Sequence, residues 1–231
     1  MRPSGVFGRS RICLYGMALW LGLAVWGCGP LVEEEEANIV LIDHFNTYSS
    51  FPADPWAVIS GDSSSWSITS SSGGPAARFY SSSALDSCLL NGDFNDPGKT
   101  GVSAKINITS VHSSGGAYGL YLRAAGDLSS YYEMIISTAG GKLYIYRVNG
   151  GLASELNAVS MSVGSYLGSY HTYTFRLYEN DGGSVTLAAY VDGALMTSGT
   201  DYAPLTSGYY TGFLFHNVLE GYISTYQIAT P

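Results

Sequence analysis

Seven side chains in the middle of the chain are of types that recognise hydroxyl-rich ligands: Tyr121, Arg123, Tyr144, Tyr146, Arg176, Tyr178 and Tyr190. A phenol ring stacks on the apolar face of a sugar and carries a polar tip, and a guanidinium forks onto hydroxyls or a uronate carboxylate. Their spacing follows a period of two. Leu120 and Leu122 read as core-facing, which sends Tyr121 and Arg123 to the opposite face. By the same alternation Leu143 and Ile145 leave Tyr144 and Tyr146 outside, Phe175 and Leu177 leave Arg176 and Tyr178, and Ala189 and Val191 leave Tyr190. If these strands are neighbours in one sheet, the seven groups share one surface. The competing explanation is simpler: tyrosine favours strands and covers an outer face without binding anything, and 19 tyrosines cannot all be ligands. Trp56 and Trp66 are secondary candidates that core packing also explains.

Other chemistry is thinly represented. Beyond an acidic run at Glu33–Glu36, the glutamates are Glu133, Glu155, Glu179 and Glu220, so an acid/base pair would have to be assembled from scattered residues. His44, His112, His171 and His216 show no metal-ligand spacing, and no Gly-x-Ser-x-Gly turn is present. Cys88 sits in an apolar run and reads as a buried strand cysteine.

The elements that would position these residues are strands. From Asn38 onward, short runs rich in Tyr, Val, Ile, Thr and Leu are separated every 8 to 12 residues by Gly, Asn, Asp and Ser. Val102, Ala104, Ile106 and Ile108 alternate with polar residues, as do Tyr173, Phe175 and Leu177, and Val185, Leu187, Ala189 and Val191. Asn149-Gly150-Gly151, Asp181-Gly182-Gly183 and Asp192-Gly193 mark hairpin turns, while Ser63–Ser65 and Ser70–Gly74 read as exposed loops. About a dozen strands in one domain predict an all-β fold, a two-sheet antiparallel β-sandwich of jelly-roll type, with a closed up-and-down barrel as the alternative.

The chain begins differently. Arg2, Arg9 and Arg11 precede an apolar stretch from Ile12 to Trp26, which reads as an export signal and is short for a transmembrane helix. Val25-Trp26-Gly27-Cys28 resembles the bacterial lipobox, with Trp26 where a small residue is usual. The resemblance implies cleavage after residue 27, acylation of Cys28 and membrane attachment through the lipid; a plain secretory signal is the alternative. Gly29 after that cysteine is compatible with outer-membrane sorting in a Gram-negative cell. Residues 28–37, with four adjacent glutamates, read as a solvated tether, and 38–231 as the folded domain. Removing residues 1–27 leaves 7 basic against 18 acidic residues, a net charge of about −11. Such a surface argues against nucleic acid and against an anionic membrane surface.

Gly119 to Arg123, Tyr131 to Ile136 and Gly141 to Arg147 resemble the central strands of concanavalin A-like and laminin G-like jelly rolls. Ala188 to Gly193, Leu205 to Gly208, Thr211 to Phe213, Asp43 to Phe45 and Tyr222 to Gln227 are similar to further pieces of that superfamily in the same order. The resemblance implies the jelly roll and a glycan as partner. Its glucanase branch carries a Glu-x-Asp-x-x-Glu strand motif that is missing; Glu179-Asn180-Asp181-Gly182-Gly183-Ser184 comes nearest and reads as a turn. No cofactor is required, but the resemblance implies a structural calcium near the terminal strands. Asp43 matches its opening position, and Glu220 stands beside Gly221 at the closing one. Carbohydrate binding at the cell envelope is the function expected. An adhesive domain with a protein partner and a glycoside hydrolase or polysaccharide lyase are the rivals.

Overall fold

A computed structural model describes residues 38–72, 74–91 and 101–230. The leader, Cys28 and the acidic tether lie outside the described residues. Thirteen strands follow in order: β1 (Asn38–Asp43), β2 (Trp56–Ser60), β3 (Trp66–Ser71), β4 (Gly74–Asn91), β5 (Gly101–Val111), β6 (Ala117–Ala124), β7 (Ser130–Ser137), β8 (Lys142–Asn149), β9 (Leu152–Ser160), β10 (His171–Glu179), β11 (Val185–Val191), β12 (Ala194–Asp201) and β13 (Tyr210–Thr230). Ser63–Ser65 and Val163–Tyr166 form short 3-10 turns. The serine run at Ser70 is a correction to the expected loop: Ser70 and Ser71 are strand residues of β3, paired with Pro75 and Gly74 of β4.

All strand pairings are antiparallel, and the two longest strands turn one hydrogen-bonded sheet into a sandwich. The first part of β13, residues 210–216, pairs with β6, and its later part, residues 218–229, pairs with β5. On its other side it pairs with β4 from Thr211 to Ile223, and with β1 from Tyr226 to Thr230. Register shifts between Phe215 and Val218 and between Val218 and Glu220 coincide with Asn217 at φ +52°, a left-handed bulge that bends the strand. One leaf therefore contains β2, the end of β4, the start of β13, and β6 to β9. The other contains β1, β3, the start of β4, the end of β13, β5, β10, β11 and β12.

Between the leaves lies one core. Every residue of the predicted inward rows is buried: Val102, Ala104, Ile106 and Ile108 of β5, Leu120 and Leu122 of β6, Leu143 and Ile145 of β8, Tyr173, Phe175 and Leu177 of β10, and the four of β11. Tyr118 and Tyr173 meet across the core with hydroxyls 3.0 Å apart, each satisfying a phenol that burial would otherwise leave unpaired. Trp56 and Trp66 are both core residues; the Trp66 indole lies in a ring cluster with Phe51, Phe79, Phe213 and Phe215. The turns use the residues expected of them. Asp192 at φ +50° and Gly193 at φ +80° make the two-residue β11–β12 connection. Gly119 has another purpose: a Cβ there would collide with the Met134 carbonyl, so only glycine lets β6 and β7 approach as they do.

Candidate functional site

The outer face of the β6–β9 leaf carries a row of residues that are direct cross-strand partners. Gly212 of β13 pairs with Tyr121, Tyr121 with Glu133, Glu133 with Tyr146, and Tyr146 with Glu155. Because partners in a sheet share a face, the row sets a phenol, a carboxyl, a phenol and a second carboxyl side by side at about 5 Å strand spacing. The neighbouring row holds Leu214, Gly119, Ile135, Tyr144 and Ala158. Tyr144 and Tyr146, two positions apart on β8, stack with centroids 5.4 Å apart and planes at 19°. Both are half-buried, and the Lys142 ammonium lies 5.8 Å from the Tyr144 ring centre. Gly140 and Ser137 flank the Tyr144 hydroxyl.

Beneath this surface is a second apolar cluster, separate from the main core, in which Cys88, Tyr121, Ala124 and Leu214 are buried and Leu128, Tyr131, Ile135 and Tyr210 pack against them. Tyr121 is thus corrected: it points away from the core as its alternation requires, yet only 5% of it is exposed. Its ring meets Tyr131 edge-on at 4.8 Å, and it packs with Cys88 in the same buried cluster. It forms the floor of the face. Burial pushes the Cys88 thiol up to about 12, so this cysteine stays a neutral thiol at physiological pH.

Glu133 is the residue that the sequence reading passed over as a site member. It is 8% exposed, and burial raises its carboxyl from the ordinary carboxylate range to about 7. Tyr146 is also raised, first by burial and then by the negative charges of Glu155 and Glu133 with Tyr144 between, which places both carboxylates within electrostatic reach of its hydroxyl. The signal for Glu133 was present: Tyr132, Met134 and Ile136 are core residues, so Glu133 must face the same way as Tyr121 and Tyr146.

The expected single surface of seven groups is divided. Arg176, Tyr178 and Tyr190 belong to β10 and β11, which β5 and β13 separate from β6, so they lie on the outer face of the opposite leaf. There the Arg176 guanidinium covers the Tyr190 ring at 5.3 Å, and the hydroxyls of Tyr178 and Tyr190 lie 3.2 Å apart. Arg123 sits at the end of the sandwich at φ +48°, ion-paired with Glu179 at 2.6 Å and donating to the Leu205 carbonyl at 3.3 Å. It lines a cavity of about 410 Å³ with the β10–β11 turn and residues 204–208. That loop is tied down by Asp201, which accepts from the Tyr132 hydroxyl at 2.8 Å and the Ala203 amide at 2.9 Å, while the Leu205 amide donates to Tyr132 at 2.8 Å. Glu179-Asn180-Asp181-Gly182-Gly183-Ser184 is indeed the strand end and turn before β11.

The two carboxylates of the implied calcium site do not meet. Asp43 accepts from the Phe45 amide at 2.7 Å, the Tyr48 hydroxyl at 2.7 Å and the Trp56 indole at 2.8 Å. It pairs with Tyr226 of β13, whereas Glu220 lies six residues away along that strand, about 20 Å at strand rise. Glu220 accepts from Arg78, Tyr222 and Thr109. Among the described residues no group of three His, Cys, Asp or Glu side chains is placed to hold a metal ion.

No protein-family profile and no curated protein matches the sequence. Solved structures do match the fold. A carbohydrate-binding module, CBM66, from Bacillus subtilis aligns with a TM-score of 0.55 and 14% identity over 74% of this chain and 92% of its own. A Bacillus licheniformis β-glucanase aligns at 0.56 and 16% identity over 85% of this chain and 100% of its own. The carbohydrate recognition domain of Emp47p aligns at 0.58 and 13% identity over 81% of this chain and 93% of its own. These likenesses agree with the architecture: the chain folds as an all-β jelly roll, an antiparallel sandwich of two sheet leaves.

Proposed function

We propose that this is an exported, lipid-anchored protein whose jelly roll binds carbohydrate through the outer face of β6 to β8. The observation that carries the reading is the stacked, half-exposed Tyr144–Tyr146 pair standing beside the Tyr121–Glu133 row. Two parallel rings with apolar faces and polar tips suit a sugar chain, and the buried floor fixes their positions. The solved structures that share the fold include a carbohydrate-binding module and a carbohydrate recognition domain, which supports the same ligand class. Attachment through Cys28 rests on the lipobox-like sequence alone, and would hold this face outside the cytoplasm.

A glycan array probed with the protein, followed by calorimetry on its hits, tests the reading. Tyr144→Ala combined with Tyr146→Ala is expected to weaken binding at least 30-fold, whereas Arg176→Ala combined with Tyr190→Ala on the opposite leaf leaves it within about twofold. Binding that survives the first pair and is lost with the second would place the ligand on the wrong leaf. Absence of any glycan ligand would favour a protein partner instead.

A second reading, glycoside hydrolysis, is favoured by one feature: Glu133 and Glu155 flank Tyr146 on strands two spacings apart, so their backbones are about 10 Å from each other. Side chains leaning inward would reach the carboxylate separation of an inverting enzyme. Release of new reducing ends from an array hit, abolished by Glu133→Gln, is the result that reading requires.

A further inference from the structure

We propose that Glu133 contacts the ligand as a neutral carboxylic acid, donating a hydrogen bond to an acceptor oxygen of an uncharged saccharide, and that ionisation of Glu133 switches this contact off. The inference rests on the carbohydrate reading of the β6–β8 face.

Its first support is the missing partner. Buried polar groups in folded proteins are nearly always hydrogen-bonded, yet among the described residues Glu133 has neither a hydrogen bond nor an ion pair. Its oxygens are not among the fully enclosed unpartnered polar atoms, so they still reach the surface of the face despite the residue's burial. A carboxyl so placed is satisfied by what binds there.

The second support is the charge around it. Tyr121 faces it from β6, Tyr131 from its own strand, Tyr146 from β8, Cys88 from β4, and Glu155 lies beyond Tyr146 on β9; Tyr210 of β13 packs into the same floor. None of these is a cation. Lys142 is four residues along β8 from Tyr146 and sits over Tyr144, and Arg123 is held by Glu179 at the sandwich end. With burial opposing the charged form and no cation to favour it, the carboxyl is held near neutrality, with a midpoint of about 7. In that state it is a donor, which an ordinary glutamate is not. The same environment selects the ligand: a uronate would set a second negative charge near Glu155 on a face that holds no cation against Glu133, whereas a neutral sugar presents ring and hydroxyl oxygens without that repulsion.

Two measurements separate this inference from the reading beneath it. In the ligand-free protein, the 13C carboxyl resonance that Glu133→Gln removes is expected to titrate near pH 7; titration in the ordinary range near 4.5 would overturn the inference whatever the face binds. The second measurement is affinity at pH 5.5 and pH 8.5 for neutral gluco-, galacto- and manno-oligosaccharides and for tetragalacturonate. Wild type is expected to bind a neutral probe at least tenfold more tightly at pH 5.5, Glu133→Gln to bind it equally at both, since its amide keeps a donor, and Glu133→Ala to bind weakly at both. Wild-type binding that does not change with pH, or a preference for tetragalacturonate, would overturn the inference and leave carbohydrate binding standing. Binding of no saccharide at either pH would remove both.

Discussion

Trp66→Ala is expected to lower the free energy of unfolding by about 4 kcal/mol, the largest effect of any single substitution considered for this fold. The indole is 3% exposed and contacts rings from three parts of the chain: Phe51 in the loop before β2, Phe79 of β4, and Phe213 and Phe215 of β13. Phe215 stacks on it at 17°, and Phe213 and Phe79 pack at centroid distances of 5.5 and 5.1 Å. These rings flank the place where β13 passes from one leaf to the other, so a cavity there removes contacts that both leaves share. The substitution also strips the Ser87 hydroxyl of the indole N–H that it accepts at 2.7 Å, leaving it with the longer contact to the Ser60 carbonyl at 3.4 Å. Trp66→Phe keeps most of the ring volume and is expected to cost about 1.5 kcal/mol, the smaller loss of one buried hydrogen bond and some packing. Urea denaturation followed by tyrosine fluorescence and circular dichroism measures both; equal losses for the two substitutions would contradict the packing account.

The second large effect depends on pH and comes from Glu133. A carboxyl with an ordinary value near 4.5 when unfolded and about 7 when folded binds more protons in the native state across that interval. Stability from this residue is therefore full below about pH 4.5, declines as pH rises, and is lost above about pH 7, a total of roughly 3 kcal/mol at 1.36 kcal/mol per pH unit. Glu133→Gln does not titrate, so relative to wild type it should gain about 3 kcal/mol at pH 8 over its relative stability at pH 4. Glu220 works in the opposite direction: the Tyr222 hydroxyl, and then Arg78 and Thr109, hold its carboxyl below the ordinary range, so its contribution is lost as pH falls. Comparing the variant with wild type at each pH cancels that background. A stability gap that stays the same at pH 4 and pH 8 would show that Glu133 titrates normally.

Much of the architecture was legible because burial writes itself into a period of two. The rows from Val102 to Ile108, Tyr173 to Leu177 and Val185 to Val191 are all core, and the Asp192-Gly193 turn does what its residues require. The site was harder to read for two physical reasons. Alternation tells which face a residue takes within its own strand but not which leaf the strand joins, and the leaf was decided by the bend in β13 at Asn217. That bend sends Arg176, Tyr178 and Tyr190 to the face opposite Tyr144 and Tyr146. Alternation also equates facing away from the core with exposure. Tyr121 breaks that equation because Cys88, Leu214 and Tyr131 build a second apolar floor around it, from strands that are distant in sequence. Glu133 was the converse case: its face followed from Tyr132 and Met134, but its lack of a partner and its neighbours Tyr121 and Tyr146 depend on register across three strands. The carboxylates Asp43 and Glu220 were singled out by position in the chain, and each proves to be engaged with its own donors, Asp43 at the end of β1 and Glu220 six residues along β13 from Asp43's strand partner Tyr226.

The central claim, that carbohydrate is bound on the outer face of β6 to β8, is tested most directly by an NMR titration of protein carrying 13C-labelled tyrosine rings with the strongest glycan from the array. The account predicts saturable shifts of the Tyr144 and Tyr146 ring signals at one common affinity, with Tyr178 and Tyr190 unmoved. Shifts confined to Tyr178 and Tyr190, or a bound glycan that leaves Tyr144 and Tyr146 unchanged, would contradict it.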